Sequence, residues 1–250
     1  MLRQTRKSLI LLFTTCFCLS GLAIADSSME AALNADIRSA DEKARDASRK
    51  PAETLAFFDV KADSKVLELM PGGGWYTKIL ANYLKDKGEL YVAIGANPER
   101  MKLVENKLDQ VKIIGKNIKL NSPETSKFYD ASDDQFEETG FDVALTFRNM
   151  HNLSVAGRTA INKAVFNALK PGGIYGVIDH TRKHMEADSD ELWRRVDPVQ
   201  MILELESVGF EFDDYSALHS RPDDKLIYDS THESINRDSD RFTLKFRKPS

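Results

Sequence analysis

The chain has 250 residues, of which 42% are hydrophobic, and a formal net charge of −4 at pH 7. This length suits one substantial α/β domain and is short for two, so a single core is expected. The acidic balance argues against nonspecific binding to nucleic acid, and no nucleic-acid partner is expected.

The first 25 residues differ in kind from the rest of the chain. Three basic residues precede an apolar stretch from 9 to 22, and the small-x-small sequence Ala23-Ile24-Ala25 follows. This order predicts a secretory signal peptide cleaved after Ala25, because the apolar stretch is shorter than the about 20 residues of a membrane span. An uncleaved N-terminal anchor is the alternative. Cleavage would remove three basic residues and no acids, so the expected product is a periplasmic protein with a net charge of −7 and no stable membrane span.

Both cysteines, Cys16 and Cys18, lie within this segment. The mature chain is therefore expected to contain no disulfide, no zinc–thiolate site and no cysteine nucleophile. Its stability must then come from its core.

Residues 26–58 are predicted to form a helical cap in front of a main domain of residues 59–250. The part from 29 to 50 is rich in alanine and charged residues and predicts one charged helix on the surface. Pro51 suits the first position of a second helix, whose apolar residues dock on the core. The charged residues of the cap either face a ligand or form a solvated surface, and those considered for a ligand are Arg45, Asp46 and Arg49.

A buried strand, a glycine turn and a helix form the central motif. The run 66–69 is apolar except for Glu68, Gly72-Gly73-Gly74 follow, and apolar residues recur at helical spacing from 76 to 84. Glycines let the backbone approach a ligand closely, and the free amides of a helix N-terminus favour an anionic group. A dinucleotide fingerprint needs a glycine where Thr77 stands and an acid about 20 residues on, so a nicotinamide cofactor is disfavoured.

The elements after this helix alternate between strand and helix. Residues 89–95 are β-rich, and Asn97 with Pro98 suits the start of a helix that continues to Leu108. Residues 111–120 can supply a third strand, before a polar, acidic stretch. Such a βαβα succession favours a parallel sheet.

The second half continues this plan. A buried strand is predicted at 141–147, a helix at 155–169, a strand at 174–179, an amphipathic helix at 200–208, a strand from 209 to 212 and an alternating strand at 241–247. The polar segment 216–240 is long for a hairpin connection and is predicted to be either a lid on the substrate side or a disordered loop.

Two motifs carry a resemblance to a known family. Glu68 with Gly72-Gly73-Gly74 resembles motif I of the class I S-adenosylmethionine-dependent methyltransferases, and the run 168–173 (ALKPGG) resembles the turn before their fifth strand. The resemblance implies an α/β, Rossmann-like class I methyltransferase fold, with a seven-stranded, mostly parallel sheet and helices on both faces. It also implies S-adenosylmethionine as the cofactor.

The sequence is more narrowly similar to a family of exported bacterial proteins described as predicted methyltransferases. The segments that carry this similarity are Arg45-Asp46, Arg49-Lys50-Pro51, 71–77, 162–166, Asp179-His180, 240–242 and 246–249.

The resemblance also implies which residues hold the cofactor. In the family the glycines pass under the methionine part, and the acid, here Glu68, helps to hold its amino group. The family's ribose-binding acid at the end of strand two is absent, and Asn97 is a neutral and weaker substitute. Asp134 is the predicted adenine contact, with Asp130 and Asp133 as open alternatives. Tyr76 and Asn149 complete the predicted cofactor site.

Ligands of open parallel sheets bind at the carboxyl ends of the strands, which selects the residues after strands one, four and five. His180 is the first candidate for a general base and His151 the second, and Asp179 is placed to orient either. Arg148 and Asn149 suit an anionic or amide-bearing substrate.

Two other kinds of site are disfavoured. Asp179, His180 and His184 form only a crude ligand set and no H-E-x-x-H occurs, so no metal site is predicted. A serine hydrolase is disfavoured because the chain has no G-x-S-x-G sequence.

The first functional hypothesis is an S-adenosylmethionine-dependent methyltransferase for a small molecule of the cell envelope. The alternative is a non-catalytic, methyltransferase-like module that binds another metabolite or a protein partner, because the cofactor is made in the cytoplasm and the strand-two acid is missing. A nicotinamide-dependent oxidoreductase ranks third.

Overall fold

The computed structural model describes residues 27–250 except 125, 188 and 237. The predicted signal peptide and its cleavage site after Ala25 lie outside the described residues. Within the described part of the chain, no helix has both the length and the apolar character needed to cross a membrane.

Seven strands form one sheet, in the order β3-β2-β1-β6-β7-β9-β8. Its first five strands are mutually parallel, and β9 runs antiparallel to both of its neighbours. A separate two-stranded ribbon joins β4 to β5. The strands in chain order are β1 Lys65–Leu69, β2 Glu89–Ala93, β3 Lys112–Ile114, β4 Leu120–Asn121, β5 Asp130–Ala131, β6 Phe141–Phe147, β7 Leu169–His180, β8 Glu211–Tyr215 and β9 Arg241–Arg247.

Helices cover both faces of this sheet. Alternate residues of the central strands point to opposite faces, so each face carries its own apolar core. One core joins the sheet to α1, α4 and α5, and the other joins it to α6 and α7. The helices in chain order are α1 Ser27–Asn34, α2 Ala40–Ala44, α3 Asp46–Arg49, α4 Pro51–Phe57, α5 Trp75–Leu84, α6 Val155–Ala168 and α7 Pro198–Val208.

The helix predicted over residues 29–50 is wrong as a single surface helix. Ser39 and Glu42 form a capping box, which starts a new helix at Ala40. Arg38 and Arg49 are buried, and Arg38 forms an ion pair with Asp46. Residues 29–50 of the cap therefore fall in three short helices folded onto the domain, and part of their charge points inward.

The helix predicted from 97 to 108 is also wrong. Residues 98–107 form consecutive turns, in which Lys102 and Lys107 adopt positive φ angles of 54° and 53°. Left-handed residues cannot continue a right-handed helix, so the pattern of apolar residues is overridden here. The third strand is likewise shorter than expected, at Lys112–Ile114.

Phe58 fixes the cap to the centre of the sheet. Its side chain is fully buried and lies against Gly176 in β7. A Cβ atom at Gly176 would stand 2.7 to 2.8 Å from three ring atoms of Phe58. Glycine is therefore required at 176 by the close approach of this ring, which is rigid and has no room to move.

We expect Gly176→Ala to lower the free energy of unfolding by about 1–3 kcal/mol, because the added methyl overpacks the Phe58 contact. Urea unfolding of the full chain measures the effect. Gly73→Ala is the matched control, since a Cβ there meets nothing within 4 Å and the residue has no positive φ. Equal losses in the two variants would contradict this account of the Phe58 contact.

Candidate functional site

The carboxyl ends of three neighbouring parallel strands meet at one edge of the sheet. In register, Leu69 of β1 lies beside Thr146 of β6, which lies beside Val177 of β7. The structure thus brings together the glycine turn, residues 148–151 and the Asp179-His180 pair, as the sequence predicts.

A cavity of about 370 Å³ lies over the glycine turn, and we call it the glycine-turn cavity. A Cβ atom at Gly72 or Gly73 would meet nothing within 4 Å, so the bare backbone of the turn borders open space. Such a surface lets a ligand contact the main chain directly. The cap and the ends of β1 and β6 form the walls of the cavity. The residues that line it are Glu42, Arg45, Arg49, Glu68, Met70, Pro71, Gly72, Gly73, Trp75, Tyr76, Phe147, Arg148 and Asn149.

Glu68 is a buried acid on the wall of this cavity, with only 2% of its surface exposed. Burial raises the pKa of Glu68 to about 7, although the hydroxyl of Thr77, which donates to Oε2 at 2.6 Å, acts to lower it. The carboxyl group is therefore divided between its neutral and charged forms near neutral pH. A cationic ligand group would favour the charged form.

Tyr76 and Asn149 line the glycine-turn cavity, and each is held in place by contacts with neighbouring residues. The Tyr76 ring stacks on Phe147 with 3.7 Å between centroids, and its hydroxyl donates to the Arg49 carbonyl at 3.3 Å. The Asn149 amide donates to the Met70 carbonyl at 3.2 Å and so ties the end of β6 to the start of the glycine turn. Both side chains have these structural contacts in addition to the cofactor role predicted for them.

Three other predicted cofactor residues do not line the glycine-turn cavity. Gly74 begins α5 in a left-handed conformation and faces Met101. Asn97 uses its side-chain oxygen to accept from the Arg100 amide at 2.8 Å, and the exposed Asp134 accepts from the Ser132 hydroxyl at 2.6 Å. Their assigned cofactor contacts remain predictions.

Asp179 is fully buried and organises the catalytic candidates. Its carboxylate accepts from His151 Nδ1 at 2.6 Å, from the His151 amide at 3.1 Å and from the His180 amide at 2.7 Å. Burial acts to raise the pKa of Asp179, but the charge and hydrogen bond of His151 and the hydrogen bond from the His180 amide outweigh it, and the pKa lies below its ordinary value. The ionised carboxylate fixes the proton of His151 on Nδ1 and leaves Nε2 as the acceptor.

His180 lies in a different environment. Its Nδ1 is 2.7 Å from the Ser239 hydroxyl, and its ring centroid is 5.4 Å from that of His151. Burial lowers the pKa of His180 to about 3, assisted by the nearby charges of His151, Arg148 and Arg241, and opposed by Asp179. His180 is therefore a neutral hydrogen-bonding group at neutral pH.

Ligand-type atoms of His151, Asp179 and His180 lie within 4.8 Å of one another. The arginines that lower the pKa of His180 also disfavour a metal cation at this position. His184, which the sequence raises as a partner of His180, instead lies 2.9 Å from an oxygen of Asp197. The arrangement therefore favours proton transfer over metal binding.

A second cavity, of about 460 Å³, lies beside His180, and we call it the loop cavity. The segment 216–240 forms much of its wall and begins with a short helical turn anchored by His219. The carbonyl of Arg49 can only accept, so His219 donates to it from Nε2 at 2.9 Å and accepts at Nδ1 from Thr243. The lining residues are Arg45, Ser48, Arg49, Arg148, His180, Ser230, Thr231, His232, Glu233, Asn236, Ser239 and Arg241.

The sequence alone does not single out several of these residues. Arg241 falls inside a correctly predicted strand, but only the β7–β9 register places it opposite His180. Trp75, which belongs to one apolar core, and Phe147, which packs against that core, also line the glycine-turn cavity. Glu42 enters the site because its carbonyl accepts from the Trp75 indole at 3.0 Å.

No family model matches the chain. A curated relative from Synechocystis sp., described as an uncharacterized methyltransferase, is 31% identical over 130 residues, which cover 52% of this chain and 51% of that protein. The chain therefore spans about half the length of the curated relative that it matches.

Solved structures share the fold. An S-adenosylmethionine-dependent methyltransferase from Aquifex aeolicus matches with a TM-score of 0.55 and 15% identity, over 82% of this chain and 92% of that chain. The (4+2)-cyclase SpnF matches with a TM-score of 0.54 and 17% identity, over 81% of each chain. The glycopeptide N-methyltransferase MtfA, solved with sinefungin, matches with a TM-score of 0.53 and 14% identity, over 81% of this chain and 87% of that chain. These matches confirm the predicted Rossmann-like class I methyltransferase fold.

We expect the burial of neutral histidines to make the protein sensitive to acid. The pKa of His180 and that of His219 are lowered to about 3 and about 4, mainly by burial. As the pH falls, these two histidines therefore take up a proton in the unfolded chain before they do so in the folded chain. The stability that their neutral rings contribute is present above about pH 6.5 and is lost as the pH falls toward 4. Glu68, whose pKa is raised, acts in the opposite direction between about pH 4.5 and 7.

Urea unfolding at pH 7.5 and pH 5 isolates the contribution of His180 when the wild type is compared with His180→Gln. Between pH 7.5 and pH 5, the free energy of unfolding of the wild type is expected to fall by on the order of 1–2 kcal/mol more than that of the variant. An equal loss in both proteins, or uptake of a proton by His180 near pH 6.5 in an NMR titration, would contradict the assignment.

Proposed function

We propose that the chain is an S-adenosylmethionine-dependent methyltransferase that acts on a small molecule. The observation that carries the proposal is the glycine-turn cavity, in which a buried acid faces open backbone at Gly72 and Gly73. The shared fold and the methyltransferase description of the Synechocystis relative support it.

The residues present suit the methionine part of this cofactor, which has an amino group and a carboxylate. Glu68 is suited to the ammonium group, because a cation restores the ionised form that burial disfavours. Arg45 and Arg49, with the amides of the glycine turn, are suited to the carboxylate. On the nucleoside side, Asn97 and Asp134 are the proposed contacts.

The bound cofactor would supply an electrophilic methyl group. The chain then has to align the acceptor and, where necessary, take its proton. The geometry favours His151 over His180 as the base, because the hydrogen bond from His151 Nδ1 to Asp179 orients its ring and leaves Nε2 as the acceptor, while burial keeps His180 neutral. This reverses the order of the two histidines that the sequence suggests.

The proposed location is the periplasm, on the strength of residues 1–25. The cap of residues 26–58 and the domain of residues 59–250 are proposed to act as one unit, because the cap supplies part of the lining of both cavities.

A second candidate is a non-catalytic binding module. The neutral Asn97 at the end of strand two and the position of Asp134 away from the glycine-turn cavity favour it. The same fold in the cyclase SpnF also shows that this architecture is not confined to proteins named as methyltransferases.

We expect S-adenosylmethionine and S-adenosylhomocysteine to bind the full chain with micromolar affinity, or about −8 kcal/mol, in calorimetric titration. Gly73→Leu should abolish binding, because its side chain enters the glycine-turn cavity without backbone strain, whereas Gly73→Ala should retain it. Gly72→Arg blocks the same space but adds strain at a φ of +60°. No binding at millimolar concentration by the folded wild type would exclude the methyltransferase and leave the binding module.

We expect the affinity for S-adenosylhomocysteine to fall about tenfold between pH 8 and pH 6, because its ammonium group needs Glu68 ionised and the pKa of Glu68 is about 7. Calorimetry at several pH values measures this. Glu68→Gln should bind more weakly at pH 8 and lose the pH dependence, while Glu206→Gln, at an exposed acid of α7, should behave as the wild type. An unchanged pH profile in Glu68→Gln would remove Glu68 from the ammonium site.

A further inference from the structure

Four arginines from separate parts of the chain converge on the loop cavity, and we call them the arginine cluster. Arg45 and Arg49 come from the cap, Arg148 follows β6 and Arg241 begins β9. Resting on the proposed function, we propose that the loop cavity binds the methyl acceptor through an oxyanion group, a carboxylate or a phosphate, held by this cluster.

Arg49 and Arg148 of the cluster differ from three buried arginines elsewhere in the described part of the chain. Arg38 is paired with Asp46, Arg158 with Glu204, and Arg195 with Asp224. Among the described residues, neither Arg49 nor Arg148 forms an ion pair with a carboxylate, although Arg49 is buried and lies over the Trp75 ring at 4.4 Å. Three buried guanidinium groups elsewhere are thus neutralised by carboxylates, whereas Arg49 and the half-buried Arg148 are available to a ligand.

The members of the cluster repel one another. Burial, followed by the charges of Arg148 and Arg45, lowers the pKa of Arg49 to about 8. Burial, followed by the charges of Arg148 and Arg221, lowers the pKa of Arg241 to about 10, although the carboxylate of Asp238 acts to raise it. Like charges held together in this way cost stability, and an anion placed among them removes the cost.

The remaining lining of the loop cavity suits an oxyanion. The Ser230 hydroxyl can donate a hydrogen bond to it, and His180 is neutral, whereas the hydroxyls of Ser48 and Thr231 donate to the Arg45 carbonyl and the Asp229 carboxylate. Glu233 is the only carboxylate among the described lining residues, and it is exposed. Guanidinium groups bind carboxylates and phosphates in two-pronged geometry, which gives such a site both strength and orientation.

The position of Arg241 separates this site from the cofactor's own carboxylate. Arg45, Arg49 and Arg148 line both cavities and form the wall between them, whereas Arg241 lines only the loop cavity. Arg241 also stands opposite His180 in the β7–β9 register, beside the candidate bases. An anion bound by Arg241 would therefore hold its molecule beside His180, whose ring centroid is 5.4 Å from that of His151, the proposed base.

The experiment measures thermal unfolding of the full chain against inorganic phosphate and, separately, against succinate, at constant ionic strength, both without and with saturating S-adenosylhomocysteine. We expect at least one anion to raise the unfolding temperature of the wild type. In Arg241→Gln the apparent Kd for that anion should rise about tenfold, while the Kd for S-adenosylhomocysteine changes little. Arg100→Gln, at an exposed arginine outside both cavities, is the matched control and should behave as the wild type. Arg148→Gln provides a second cluster variant if Arg241→Gln does not fold.

The two anions distinguish the chemical class of the acceptor, and the combination of results shows which of the two proposals fails. A response to phosphate alone indicates a phosphorylated acceptor, and a response to succinate alone indicates a carboxylate. No stabilisation, equal stabilisation of the cluster variants, or loss of the effect when S-adenosylhomocysteine is bound would overturn the loop-cavity site. Failure of S-adenosylhomocysteine to bind, with anion binding still dependent on Arg241, would overturn the proposed function and leave the anion site standing.

Discussion

The buried carboxylate of Asp179 holds the site together. It accepts three N–H groups from His151 and His180 and so fixes the helical turn of residues 150–152 against the end of β7. That turn begins just after Asn149, whose amide in turn holds the carbonyl of Met70. One carboxylate therefore positions the proposed base, the end of β6 and, through Asn149, the glycine turn. A buried charge with this many hydrogen bonds stays ionised, and its loss would leave several donors unsatisfied at once.

The cap contributes as much to the two cavities as the strands do. Glu42 joins the cap to α5 by its ion pair with Lys78. The guanidinium groups of Arg38 and Arg49 lie over the Trp75 ring, 5.2 and 4.4 Å from its centroid. These contacts bring positive charge from the cap over the glycine turn. Both cavities are thus formed where the cap meets the carboxyl ends of the sheet.

The sequence predicts those parts of the structure whose signal is local. The strands at 141–147 and 241–247 have the predicted bounds, and the helix predicted at 155–169 ends one residue earlier in the structure. These predictions succeed because each element has a clear period and a clear stop. The helix expected at 97–108 fails because left-handed turns at Lys102 and Lys107 are not visible in the apolar spacing. The pattern identifies Glu68 as a candidate, but its protonation depends on burial, which no local pattern shows. Arg241 likewise acquires its place in the arginine cluster only through strand pairing across the sheet.

The contact between Phe58 and Gly176 bears on how the molecule can be divided. A segment held by an aromatic ring in the centre of a sheet unfolds together with that sheet, as one cooperative unit. Cutting the chain after residue 58 would uncover the apolar slot above Gly176 and remove part of the core on that face. Loss of ligand binding by such a fragment would report loss of the fold, so the contribution of the cap to recognition has to be measured by single substitutions at its arginines.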